Sequence, residues 1–151
     1  MTSLKTINQK ELKSWAKEFF LEHNYKMIDV SDKQPTFRKA LATGKIMVGK
    51  ETFELIQTKK MPKGDPISLA EIAAVLGVKK TSDIIPLCHP LPIDHTATKI
   101  IMNEDDFSLE VYCVVSAHAK TGVEMEAIMG VNTALITIYD LSKIVNPDLR
   151  I

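Results

Sequence analysis

Asp140 and Lys143 stand three residues apart near the end of a long apolar segment. On a helix, residues at i and i+3 share a face, so this acid and this lysine can touch. An exposed pair of that kind contributes only about 0.2–1 kcal/mol and is ordinarily a solvated surface feature. Here, however, the thirteen preceding residues, 127–139, carry no charge, which argues for a partly buried pair with tuned proton affinities. A second group is Lys120-Thr121-Gly122-Val123-Glu124-Met125-Glu126. Gly122 ahead of a helix start offers free main-chain N–H groups, a mild site for an anion. Acids in a first turn ordinarily complement the helix dipole. Two glutamates two apart nevertheless differ by about 200° around a helix axis, so at least one faces inward or into a groove. The third group is Leu87-Cys88-His89, inside a stretch with three prolines in ten residues, 84–93. A histidine in such company commonly just satisfies main-chain groups; its chemical alternative is a rigid imidazole that binds phosphate or shuttles protons. Arg38, Lys63 beside Gly64, and Lys79-Lys80 are the remaining cations of interest. A lysine before glycine in a turn suits phosphate approach, although the chain has neither a Walker sequence nor a GxGxxG. Zinc needs three or four ligands at workable spacing, which Cys88, His89, His95, Cys113 and His118 lack, so no metal is expected.

The elements that must position these groups follow from periodicity. Residues 9–23 carry Leu12, Trp15, Ala16, Phe19 and Phe20 as one apolar stripe, an appended amphipathic helix. Met27, Ile28 and Val30 suggest a short extended segment before Pro35. The expectation for 36–43 is a helix closed by Gly44, with a strand over 45–48. Residues 51–60 read as a helix ended by turn residues, and Ser68 as the N-cap of the next helix. The prolines make 84–93 a loop that is neither helix nor central strand. Residues 107–118 alternate, with Phe107, Leu109, Val111, Cys113, Val115 and Ala117 on one face, the pattern of a half-buried strand. Residues 96–102 are its antiparallel partner. From Gly122 onward, Met125, Ile128, Met129, Leu135, Ile138, Leu141 and Val145 keep helical spacing. This order points to an α+β fold, an antiparallel sheet with helices packed on one face. A sheet so small leaves its other face to be covered, usually by self-association.

Composition narrows the function classes. A chain of 151 residues is one domain in length, and 19 Lys+Arg against 19 Asp+Glu give zero formal charge. That balance argues against non-specific nucleic-acid binding, which needs excess positive charge, and leaves room for a local basic pocket. Cys88 and Cys113 lie 25 residues apart without a CxxC, as reduced thiols of a cytoplasmic protein do. No signal-peptide core and no apolar run of the ~20 residues that span a bilayer is expected to act here.

Taken in order, several strings resemble those of the cyclic pyranopterin monophosphate synthase family, the C protein of molybdenum-cofactor biosynthesis. They are Met27-Ile28-Asp29-Val30-Ser31, Lys63-Gly64-Asp65, Lys80-Thr81-Ser82-Asp83, Ile85-Pro86-Leu87-Cys88-His89-Pro90-Leu91, Lys120-Thr121-Gly122-Val123-Glu124-Met125-Glu126-Ala127 and Leu135-Ile136-Thr137-Ile138-Tyr139-Asp140. The resemblance spans about residues 25–151, so residues 1–26 read as an extension and 27–151 as the synthase domain. It implies a ferredoxin-like α+β subunit in a homohexamer, a trimer of dimers with sites between subunits. It also implies a lyase reaction: (8S)-3',8-cyclo-7,8-dihydroguanosine 5'-triphosphate becomes cyclic pyranopterin monophosphate with release of diphosphate. The partner is thus a small nucleotide-derived triphosphate, with no nucleic acid, membrane, metal or cofactor. Asp140, Lys63 and Lys143 match the family's catalytic residues; Leu87, Cys88, His89, Met125, Glu126, Glu124 and Arg38 match its substrate-binding positions.

The residue types suit that chemistry. A triphosphate calls for several cations, and these also stabilise departing diphosphate; ring opening and reclosure call for repeated proton transfers. Two departures accompany the match. Family members continue past this point into a Gly-rich, lysine-bearing tail of the type KSGGKSG, and such a tail is expected to follow Leu149-Arg150-Ile151 here. Gly77-Val78 and Gly130-Val131-Asn132 replace the small-residue runs of the family, as packing changes beside the site. The alternative function is a non-catalytic ferredoxin-like nucleotide-binding module, which needs His89, the 120–126 loop and the cations but not Asp140 beside Lys143.

Overall fold

Twelve-residue alternation governs the sheet. The structure, a computed structural model, describes residues 25–151 together with Lys10, Ser14 and Ala16. The helix expected over 9–23 therefore lies outside the described residues, those three positions apart. Strand β1 (Thr36–Met47), β2 (His95–Asn103) and β3 (Ser108–Ala119) form one antiparallel sheet in the order β1-β3-β2. Among the described residues from 25 onward, four helices accompany it: α1 (Lys50–Gln57), α2 (Pro66–Lys79), α3 (Thr81–Ile84) and α4 (Glu124–Ser142). This is the α+β class expected, with β3 central as its strict alternation requires: Leu109, Val111, Cys113, Val115 and Ala117 are all fully buried. At the outer edge of β1, Met47 and Arg150 exchange two main-chain hydrogen bonds of 2.8 and 3.3 Å. That isolated bridge takes the ladder position of a fourth ferredoxin-like strand.

Two local expectations are corrected. Residues 36–43 are strand, not helix, and belong to one continuous β1 with 44–47. The Ala40-Leu41-Ala42 run favours a helix intrinsically. Pairing with β3 over the full register, Thr36↔Ala119 to Met47↔Ser108, outweighs that weak preference. Gly44 accordingly closes nothing. It faces α4, where a Cβ would stand 2.7 Å from Leu135 Cδ1 and 2.8 Å from Val131 Cγ1. The cap of α2 is Asp65 rather than Ser68. Asp65 accepts the Ile67 N–H at 3.0 Å, Ser68 Oγ donates to the same carboxylate at 2.6 Å, and Pro66 supplies a helix-ready φ.

Helices α2 and α4 cross on the sheet's inner face through small residues. Ala70, Ala74 and Val78 of α2 and Ala127, Val131 and Ala134 of α4 are all 4% exposed or less. At the crossing itself a Cβ on Gly130 would lie 2.9 Å from Val78 Cγ2, and one on Gly77 would lie 2.8 Å from the Met129 carbonyl oxygen; on its sheet side the same Gly130 Cβ would lie 2.5 Å from Cys113 Sγ of β3. The opposite face of the sheet presents Phe37, Leu41 and Ile101 to water, Leu41 being 67% exposed. Because main chain cannot yield as a side-chain tip can, Gly77→Val is expected to lower unfolding free energy by about 1–3 kcal/mol. Chemical denaturation of the full chain measures it; an unchanged midpoint would show that the helices do not meet this closely.

Candidate functional site

The start of α4 forms one wall of a pocket of about 220 Å³. β3 ends at Ala119, and Lys120-Thr121-Gly122-Val123 turns the chain into the helix, with Val123 buried and accepting the Ala127 N–H. The proline-rich loop forms the facing wall. It leaves α3 through the Ile85 N–H to Thr81 C=O bond, 2.8 Å, and turns where the Cys88 N–H meets Ile85 C=O, 3.1 Å. A third wall is the segment that brings Ile28, Val30 and Lys33 to the rim. That segment is pinned by Lys120 Nζ, which donates to Ser31 C=O at 2.9 Å, and by a turn in which Ser31 donates to Asp29.

Leu87, Cys88, His89, Glu124, Met125 and Glu126, all expected here, line this one pocket. The glutamates divide as the helical angle requires: Glu124 is exposed and folds back over Gly122, whereas Glu126 is 4% exposed. Burial, reinforced by the Glu124 charge, pushes the Glu126 carboxyl above its ordinary value. Burial and the same two carboxylates push the Cys88 thiol up, so it stays protonated at neutral pH. Asp29 is held below the carboxylate range by its Ser31 hydrogen bonds, with smaller help from Lys120 and His89. Arg38 does not line the pocket. It sits half-buried on the inner face of β1 opposite Ala117, its Nε buried and unpartnered. Lys33 lines the pocket and escaped the sequence reading; its one signal was its place two residues after the Met27-to-Ser31 string. Among the described residues, no group of three or more His, Cys, Asp or Glu is placed to hold a metal.

Asp140, Lys143 and Lys63 form a separate cluster at the far end of α4. Lys143 Nζ lies 2.7 Å from Asp140 Oδ1; Lys63 Nζ lies 3.2 Å from Oδ2 and donates to the Asp140 carbonyl, also at 3.2 Å. Lys63 reaches across from the turn after α1, where Met61 is buried and Gly64 adopts φ 100°. The Lys143 hydrogen bond, then that of Lys63, draws the Asp140 carboxyl down, and Asp140 raises Lys143. The pair is thus tuned toward the charged forms. It is also about half exposed rather than sequestered. From Glu126 to Asp140, fourteen residues at 1.5 Å each make about 21 Å. One subunit assembles both halves of the expected site and keeps them apart.

The raised Glu126 carboxyl carries a stability consequence. The folded chain holds that proton more tightly than the unfolded chain, so its ionisation costs stability as pH rises above about 4.3 and through the folded value. Glu126→Gln is expected to raise Tm by a few degrees at pH 7 and by progressively less toward pH 4. Thermal melts across that range check it; an equal effect at every pH would contradict it.

Comparison with known proteins bears on the same residues. The chain is 48% identical over 127 residues to the Thermococcus kodakarensis protein named "Probable cyclic pyranopterin monophosphate synthase", covering 84% of this chain and 80% of that protein. It is 44% identical over 126 residues to the cyclic pyranopterin monophosphate synthase of Campylobacter jejuni, covering 83% and 80%. Against that of Helicobacter pylori it is 41% identical over 130 residues, covering 86% and 82%. The MoaC family model matches residues 27–151, the pocket and the lysine-held aspartate included. The chain belongs to the MoaC family.

Proposed function

We propose that the chain is a cyclic pyranopterin monophosphate synthase of molybdenum-cofactor biosynthesis. It acts on (8S)-3',8-cyclo-7,8-dihydroguanosine 5'-triphosphate and releases diphosphate. Asp140 carries the reading: an ionised carboxylate clamped by two lysines on a helix whose other end opens into the pocket of Leu87, Cys88, His89 and Glu126. In forming a cyclic monophosphate, a hydroxyl oxygen of the substrate displaces diphosphate from the innermost phosphorus. Lys63 and Lys143 neutralise the developing charge on the leaving group. Asp140, held ionised, is an acceptor for the protons that ring opening and reclosure release.

A reacting group must come within about 3 Å of its proton, and some 21 Å separates Glu126 from Asp140 along one helix. The proposed catalytic centre is therefore built from two copies. The Leu87-Cys88-His89 and Met125-Glu126 pocket of one faces the Asp140 cluster of the other, with Arg38 and Glu124 at the pocket's margin. A homohexamer of three dimers provides such sites. The apolar side chains presented to water by the sheet and by α2, Leu41, Phe37, Ile72 and Leu76 among them, supply surface for that assembly to bury. Among the described residues no helix is long and apolar enough to cross a membrane, in keeping with a proposed cytoplasmic site of action.

Wild-type protein is expected to release diphosphate from the cyclic nucleotide triphosphate, and Asp140→Asn to slow that release about 10²-fold or more. Phosphate-release assays coupled to a pyrophosphatase measure both. Turnover undiminished in Asp140→Asn would remove Asp140 from the chemistry; substrate binding without any wild-type release would favour the non-catalytic module.

A further inference from the structure

The loop that carries Cys88 and His89 is held by hydrogen bonds at its ends and, between them, by the packing of Leu91 and Ile93 against the core rather than by any ladder. Pro90 and Pro92 have no N–H to donate. Among the described residues, no main-chain hydrogen bond joins positions 89–93 to the rest of the chain. At the loop's far end three bonds meet on Asp94. Its N–H donates to Ser116 C=O at 3.1 Å. Its Oδ2 accepts the His118 N–H and stands against the His118 ring Nδ1, both at 2.8 Å. The His118 ring leans in turn on Phe37 of β1, ring centroids 5.4 Å apart.

Behind the loop lies a second cavity of about 370 Å³, walled by His89, Pro90, Leu91 and Pro92 on one side and by His118 and Lys120 on the other. His89 and Leu91 line both cavities. A wall with space on each side and no ladder of its own shifts unless its ends are held. We infer that Asp94 and His118 form a positioning pair, which ties the loop to β3 and thereby sets where Cys88 and His89 stand in the pocket. Neither residue lines the 220 Å³ pocket itself.

The bond is charge-assisted. His118 contacts hold the Asp94 carboxyl below its ordinary range, so at neutral pH it only accepts, and Nδ1 of His118 is the donor. In the single subunit more than half of each side chain is exposed, and exposed pairs add little to the stability of the subunit. Loop position is thus separable from folding. Asparagine at 118 would place its amide Nδ2 where the ring Nδ1 donates, and restore the bond.

This inference rests on the proposed reaction for a kinetic readout and is independent of it for a chemical one. In the full chain, iodoacetamide alkylation of Cys88 reports the loop, with buried Cys113 as internal control. Asp94→Ala and His118→Ala are expected to speed Cys88 alkylation by about tenfold with Tm nearly unchanged. The same variants should raise KM for the cyclic nucleotide triphosphate about tenfold while kcat stays within about threefold, and His118→Asn should restore both readouts. Unchanged alkylation in both alanine variants, His118→Asn as defective as His118→Ala, or faster alkylation with wild-type KM would each overturn the pair's role. If wild-type protein releases no diphosphate, the proposed reaction falls, and the alkylation series still decides the positioning role.

Discussion

Helix α4 is nineteen residues long, and its middle is pressed between the sheet and α2 at distances that admit only small or apolar groups. Charge in that middle would lose hydration without a partner, a cost of several kcal/mol per ion. Every ionisable group on the helix is therefore confined to its two ends. Glu124 and Glu126 fall at the start, Asp140 at the finish, and Tyr139 beside it. The pocket forms where the start meets the proline-rich loop, and the lysine clamp where the finish meets the turn after α1. Gly44, Gly77 and Gly130 maintain the close approach from three directions. A bulky side chain at any of them displaces the single element that positions both ends.

That confinement gives the zero net charge a different meaning. Charge is balanced over the chain and unbalanced locally. The pocket holds two carboxylates with Lys33 and His89, a poor match for a triphosphate on its own, whereas the cluster at Asp140 holds two lysines to one acid. On the proposed reading, association of two copies joins the acidic end of one helix to the lysine-rich end of another. It also supplies the cations that the pocket lacks. The same association covers apolar groups on the outer face of the sheet, which a three-stranded sheet cannot bury against its own helices.

Much of this was legible in the residues. Strict alternation from Leu109 to Ala117 marked the central strand because its inner face is buried along the whole length, and period two is then imposed without exception. The angle between Glu124 and Glu126 required one to turn inward, and the three-residue spacing of Asp140 and Lys143 required contact; both follow from helix geometry alone. β1 was misread because Ala, Leu and Lys favour helix locally, while the pairing that overrides them is made with residues some seventy to eighty positions away. Asp65, not Ser68, caps α2 for the smaller reason that both are good caps and Pro66 decides between them. The separation of the two clusters was invisible because strings in order along a chain say nothing of which end of a helix they share in space. Lys63 meeting Asp140 across 77 positions, and Asp94 meeting His118, are likewise products of topology.

On the proposed reading the catalytic centre draws its pocket from one copy and its acid from another. His89→Ala and Asp140→Asn, each expected to be strongly impaired alone, can be co-refolded in equal amounts and assayed for diphosphate release. If sites are shared between copies, random mixing leaves about one quarter of them with both halves intact, and activity returns to about that fraction of wild type. Activity remaining at the level of the separate variants, in a mixture shown to contain both chains in one assembly, would contradict the shared site.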